Sequence, residues 1–188
     1  MTRSTDHEYS EEIIMLQQSN LIEGEPAEGE ALDDAIQAWH RVCFLDTITE
    51  EDILECHKLL MKSRTTLDEE DKGVWTRFQT TVGGRRNPEP KEIPSLMEDW
   101  IEKINEDIRL ARNIAEDSST TYEIEEDLEN NEKKAQEYHV RFEKIHPFGD
   151  CNGRVGRLLL NWHRLQLGLP ILIIWNDEKQ DYYRLFRD

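Results

Sequence analysis

The chain has 188 residues, enough for one domain with a small appendage. It carries 23 Lys and Arg against 41 Asp and Glu, a formal net charge of −18, which argues against nucleic acid and anionic membrane as general partners. Hydrophobic residues reach 37%, so a polar chain can still build a core. No apolar run approaches the roughly 18–20 residues of a spanning helix. The opening Met1–Glu8 has no apolar leader core. Cys43, Cys56 and Cys151 are odd in number and widely spaced. That pattern predicts free thiols in a reducing, cytoplasmic setting, not a disulfide framework or a zinc cluster.

Most segments carry a helical period. Residues 8–18 place Tyr9, Ile13 and Leu16 on one face. Residues 31–44 do so with Leu32, Ile36, Trp39 and Val42, and 50–62 with Ile53, Leu54, His57, Leu60 and Met61. Residues 73–94 break the pattern. Thr80, Thr81 and Val82 favour strand, and Gly83-Gly84 and Asn87-Pro88 favour turns, so a β-hairpin or extended flap is expected there. Ser95 is placed to cap a helix running to about residue 114, with Leu96, Trp100, Ile104 and Ile108 at helical steps. Residues 120–144 read as helix and lead into Ile145. Another helix spans about Gly153 to Gln166, ended by Gly168 and Pro170. Ile171–Trp175 is too short to assign, and strand and buried coil both stay open. Asp177–Phe186 reads as a short terminal helix. The expected class is all-α with one small β element. His57, His139, Trp39, Trp100, Met61 and Met97 fit core packing, and Cys43 and Cys56 fit as core thiols.

Residues 146–157 read His-Pro-Phe-Gly-Asp-Cys-Asn-Gly-Arg-Val-Gly-Arg. Glycines at a helix start expose backbone N–H groups, and the helix dipole adds positive potential. That is an anion cradle. Arg154 and Arg157 lie three apart on one face and can grip neighbouring phosphates through forked hydrogen bonds. Asp150 supplies the single carboxylate that phosphate-bound Mg²⁺ usually takes from protein. His146 titrates near neutrality and can accept a proton from a hydroxyl. Each part alone is common: a His before Pro is usually structural, and two arginines are usually a solvated face. All of them in order within one turn-to-helix segment point to a nucleotide-phosphate site with a base beside it.

This segment resembles the signature of the Fic (Fic/Doc) family, His-Pro-Phe-x-Asp/Glu-Gly-Asn-Gly-Arg-x-x-Arg. Eleven of the twelve positions fit, and Cys151 stands where the family has Gly. Leu158-Leu159-Leu160-Asn161, Gly168-x-Pro170 and Asp181-Tyr182-Tyr183 follow the family's downstream pattern. Gly73-x-x-x-Arg77 and Val82-Gly83 resemble its flap region. The resemblance covers roughly residues 45–188 as a catalytic core, leaving 1–44 as an N-terminal inhibitory helix region.

The resemblance implies a helical Fic-type fold with a hairpin flap, and an enzyme that moves AMP from ATP to a Ser, Thr or Tyr hydroxyl of a target protein. It implies His146 as general base and Asp150 as the Mg²⁺ ligand. Asn152 and Gly153 would hold the α-phosphate, Arg154 the β-phosphate region and Arg157 the γ-phosphate. Asn161, Tyr182 and Tyr183 would lie near the nucleoside. The flap residues Thr80, Thr81, Val82, Gly83 and Gly84 would pair with an extended target segment. Ser19-Asn-Leu-Ile-Glu23-Gly24 matches the family's inhibitory pattern, Ser/Thr-x-x-x-Glu-Gly/Asn, in which Glu23 would occupy Arg157. Relatives often form homodimers. The same residues permit AMP removal or another phosphate or nucleotide transfer, and an inactive acidic interaction module is the non-enzyme alternative. Cys151 leaves three readings: a tolerated substitution, a weakened or altered enzyme, or a redox handle with thiolate character at a helix N-terminus.

The acidity is unevenly spread. Residues 1–34 hold ten acids and one base, and 116–137 hold nine acids and two bases. The flap region 77–91 is net +3 and the segment 145–165 net +2, so the overall charge does not contradict a polyanion site.

Overall fold

The computed structural model describes residues 10–117 and 121–186. Its elements are α1 (Glu11–Ile22), α2 (Glu30–Val42), α3 (Glu50–Leu60), β1 (Thr81–Val82), β2 (Arg85–Arg86), α4 (Ile93–Asp117), α5 (Thr121–Ile145), α6 (Asn152–Gln166) and α7 (Lys179–Arg184). Short 3₁₀ turns sit at Glu69–Asp71, Pro90–Glu92 and Asn176–Glu178. The expected all-α class with one hairpin is the observed one. No helix among the described residues is long and apolar enough to cross a membrane.

Helix α6 is the axis of the fold. It packs against α1, α2, α3, α4 and α5, and Val155, Leu158, Leu159 and Trp162 enter the main core with Met15, Trp39, Ile53, Trp100 and Phe142. A helix surrounded on all sides is normally apolar all round. This one also buries Arg154, Arg157, Asn161, His163 and Arg164. Each buried cation needs an anion or a set of acceptors. Arg164 finds them in Glu132 and the Pro170 carbonyl, and so ties α6 to α5 and to its own exit.

Helix α1 runs to Ile22, beyond the 8–18 window in which the apolar period is read, and Tyr9 lies outside the described residues. The extension is closed by a Schellman turn. Glu25 N–H bonds the Asn20 carbonyl at 2.9 Å, Gly24 N–H bonds that of Leu21 at 3.0 Å, and Gly24 takes the required left-handed φ of 76°. Helix α4 starts before Ser95, contrary to the sequence reading. A reciprocal capping box between Glu89 and Glu92, with Pro90 inside it, turns the chain in, and Ser95 Oγ donates to the Glu92 carbonyl.

The hairpin forms where the turn residues place it. Thr81 pairs with Arg86 and Val82 with Arg85, antiparallel, across Gly83 and Gly84 at φ 58° and 84°. Below it Asn87 donates to the Thr80 carbonyl and hydroxyl, fixing the base. Segment 171–175 is irregular chain rather than strand. Asn161 holds it, accepting from Leu172 N–H at 2.7 Å and donating to the Leu172 carbonyl at 3.2 Å. Asp177–Phe186 yields the Asn176–Glu178 turn and α7.

His57, His139 and His163 are buried in this packing. Burial lowers their pKa values, to about 4 for His57 and about 3 for the other two. Glu143, half-buried with its carboxyl enclosed, opposes them, since burial raises that carboxyl to about 7. A histidine depressed in the fold binds its proton more readily when unfolded, so its contribution is whole above 6.5 and is lost as pH falls towards the folded value. Three histidines outweigh one acid. Denaturant unfolding is therefore expected to give lower stability at pH 5 than at pH 7.5, by about 1 kcal/mol or more per net proton and pH unit.

Candidate active site

The site forms where α5 stops and α6 begins. Pro147 forbids continuation of α5, and His146 takes a left-handed φ of 53° as the chain turns out. Phe148 is buried and stacks flat on His57, ring centres 3.9 Å apart. His57 Nδ1 accepts the Gly73 N–H at 2.8 Å, and the Thr76 N–H bonds the Pro147 carbonyl at 2.8 Å. The chain leading to the hairpin is thereby fastened to the loop. Asn152 closes the loop from inside. Its Oδ1 accepts the Phe148 N–H and its Nδ2 donates to the Phe148 carbonyl, both at 2.9 Å. Its amide thus shapes the cradle, where the resemblance implied a phosphate contact.

Asp150 projects from this loop. Its carboxylate accepts from Thr66 Oγ at 2.7 Å and from the Cys151 N–H at 2.6 Å. Partial burial pushes its pKa up, but these two bonds and Arg154 outweigh that, and the carboxyl is held below its ordinary value. His146 is shifted down. Burial, helped by Arg85, outweighs the Glu143 carbonyl and the Glu23 and Asp150 carboxylates. The imidazole is therefore neutral at pH 7, the state a general base requires. Among the described residues no group of three or more His, Cys, Asp and Glu converges as a metal cage. One ionised, anchored carboxylate fits a Mg²⁺ that takes its other ligands from phosphate and water.

Arg157 is the best-bonded cation of the site. Nε donates to Ser19 Oγ at 3.0 Å, and Nη2 donates to the Ser19 carbonyl at 2.9 Å and to Glu23 Oε1 at 2.8 Å. Tyr182 supports it from behind, with Oη 3.4 Å from Nη1 and the ring centre 5.5 Å from Cζ. His139 in turn holds Tyr182, Nε2 to Oη at 2.9 Å. Ser19 on α1 and Glu23 at its C-cap lie four apart and so reach the same guanidinium. Gly153 makes room for this contact, because a Cβ there would lie 2.2 Å from Glu23 Oε1.

Glu23, Gly153, Arg157, His146, Glu143, Tyr182, Tyr183 and Phe186 line one cleft of about 760 Å³, and Val82–Arg85 of the hairpin form its other wall. That volume suits a small-molecule site. Not every expected residue reaches it. Asn161 is buried behind α6, with its amide engaged by Leu172 and the Arg157 carbonyl, so it does not face a nucleoside. Thr80 secures the hairpin base, and Thr81 sits exposed on β1. Sequence reasoning missed Thr66, Arg85 and Glu143. Glu143 lies one helical turn before His146, a spacing that marks a shared face.

Residues 47–163 match the Fic/DOC family. The chain is 31% identical over 140 residues to the protein adenylyltransferase Fic of Drosophila melanogaster, covering 74% of this chain and 24% of that protein. It is 30% identical over 141 residues to the protein of the same name from Culex quinquefasciatus, covering 73% and 24%. The chain thus spans about a quarter of the length of the curated relatives it matches. The fold resembles a Fic domain containing signaling protein from Bacteroides thetaiotaomicron, with TM-score 0.67 and 19% identity over 92% of this chain and 70% of that one. It also resembles Fic-1 from C. elegans, with TM-score 0.69 and 19% identity over 94% and 55%.

Cys151 is where the loop departs from the Gly of the signature. It takes φ 67°, ψ 10° as the N-cap of α6, a conformation that costs a side-chain-bearing residue about 1–2 kcal/mol. The chain keeps the glycine conformation without the glycine. The redox-handle reading fails here: Cys151 is buried, and burial pushes its thiol up to about 12 despite Arg154 and Arg157. All three cysteines are free. In a timed iodoacetamide reaction followed by peptide mass spectrometry at pH 7.5, Cys43, the half-exposed one, should be alkylated first. Cys56 and Cys151 should react only under denaturant.

Proposed function

Because the chain belongs to the Fic/DOC family, we propose that it is a protein adenylyltransferase held off by its own N-terminal helix. It moves AMP from ATP to a Ser, Thr or Tyr hydroxyl of a target protein. The observation that carries this reading is the cleft itself. A neutral His146 and the buried Arg157 line one space, Glu23 fills the arginine, and the ionised Asp150 projects from the loop that joins them.

His146 takes the proton from the target hydroxyl, whose oxygen attacks the α-phosphorus as pyrophosphate leaves in line. The amides at the start of α6 and the helix dipole stabilise the charge that develops. Asn152 keeps that turn in shape. Arg154 and Arg157 hold the departing phosphates. Asp150 would hold Mg²⁺, which supplies charge neutralisation on the phosphates. The exposed edge of the hairpin offers main-chain groups to an extended target segment, which positions its hydroxyl with little demand on side chains. Free thiols accord with a reducing, cytoplasmic setting.

Glu23 withholds from the γ-phosphate the guanidinium it needs. Glu23→Gly should raise incorporation of label from α-labelled ATP at least about tenfold, the scale of one charge-assisted contact. His146→Ala in that background should abolish it. Equal labelling by wild type and Glu23→Gly would overturn the inhibitory role. The pH–rate profile of Glu23→Gly should show its acid limb below 6.5, because His146 must be neutral and burial has lowered its pKa. A limb above that value would exclude His146 as the base.

A further inference from the structure

A second carboxylate of the N-terminal arm reaches the arginines. Glu25, just past the Gly24 turn, forms an ion pair with Arg64, which follows α3. The other oxygen of the same carboxylate stands 4.0 Å from Arg154 Nη2. Arg154 is only 4% exposed, yet its Nε and Nη1 have no hydrogen-bond partner, and its Nη2 donates to the sulfur of Met61. Arg64 Nε is likewise buried and unpartnered. Two guanidinium groups present about ten N–H donors to a carboxylate with about four acceptor positions. Buried donors left in this state call for an acceptor of higher capacity.

The chain around Arg64 is anchored in the site. Ser63 N–H bonds the buried Asp34 carboxylate at 2.8 Å. Two residues after Arg64, Thr66 holds Asp150. Arg64 is thus delivered by the same loop that orients the carboxylate of the catalytic segment. We infer that Arg64 and Arg154 form a second anion site, occupied in this state by Glu25 and, once the arm leaves, by a phosphate of the nucleotide beyond the α-phosphate. This rests on the adenylyl-transfer reading for the identity of the ligand. It makes Arg64 a phosphate-binding residue outside the signature, and it makes the arm a two-carboxylate stand-in for a polyphosphate chain, Glu23 on Arg157 and Glu25 between Arg64 and Arg154.

The test uses calorimetric titration of the full chain carrying Glu23→Gly, with inorganic pyrophosphate as probe and AMP as control. Glu25→Gln should tighten pyrophosphate binding about tenfold, and Arg64→Gln should weaken it about tenfold, the effect of one charge-assisted contact. Neither should move AMP affinity, since AMP lacks the outer phosphates. Arg64→Lys should recover part of the loss. A purely structural ion pair predicts that both substitutions shift affinity in the same direction, and that result overturns the inference. So does an Arg64→Gln chain that binds pyrophosphate unchanged or loses AMP equally. If Arg64→Gln fails to fold, Glu25→Gln decides alone: tightening supports the site, and no change overturns it. Label transfer from ATP separates the two claims. Transfer with no dependence of pyrophosphate binding on Arg64 removes the second anion site only. Arg64-dependent pyrophosphate binding without transfer removes the adenylyl reading only.

Discussion

The constraint on which the rest depends is a guanidinium placed inside the central helix. Arg157 is 2% exposed, and a charge so buried must be matched. Ser19, Glu23 and Tyr182 match it, drawn from the first helix and the last. The termini of the described chain are therefore brought together over α6 by one side chain. Tyr183 adds to the same junction, its hydroxyl reaching the Ile22 carbonyl. A cation that needs an anion holds the fold closed, and the same electrostatic demand underlies the proposed phosphate binding and its inhibition.

Locality explains what is legible in the sequence. His146, Asp150, Arg154 and Arg157 lie within one short segment, so their order is read from the chain alone. The hairpin was equally local, because Gly83 and Gly84 supply the backbone angles of a two-residue turn. What escaped was long-range. Thr66 reaches Asp150 and Arg64 reaches Glu25 across the fold, and no spacing announces either contact. The short apolar window of α1 has a related cause. Apolar periodicity ends near Leu16, but Ser19 and Asn20 remain buried because they serve polar partners. Ser19 bonds Arg157, and Asn20 donates to the Pro26 and Ala31 carbonyls. A buried polar face looks, in sequence, like the end of a helix.

Two side chains of the site changed meaning once placed. Asn152 and Asn161 both read as ligand contacts, and both prove to clamp backbone. Asparagine carries a donor and an acceptor on one short stem, so it can mimic a peptide group and pin a loop in both directions. His139 moved the other way. It fits a helix-packing role by spacing, yet it holds Tyr182, which holds Arg157. The core and the site are continuous here, because the helix that bears the chemistry is also the one every long helix packs against.

The Schellman turn that ends α1 has a consequence for how Glu23 and Glu25 hold the arginines. Glu23 and Glu25 flank Gly24 on a short connection between two packed helices. They are tethered, and a tethered ligand acts at an effective concentration set by its linker, on the order of millimolar or more. Dilution of the protein does not loosen such a contact, and any anion offered to Arg157 must contend with a competitor whose local concentration never changes. If Glu23 and Glu25 act as proposed, their competition for the arginines is intramolecular, set by the geometry of one helix end.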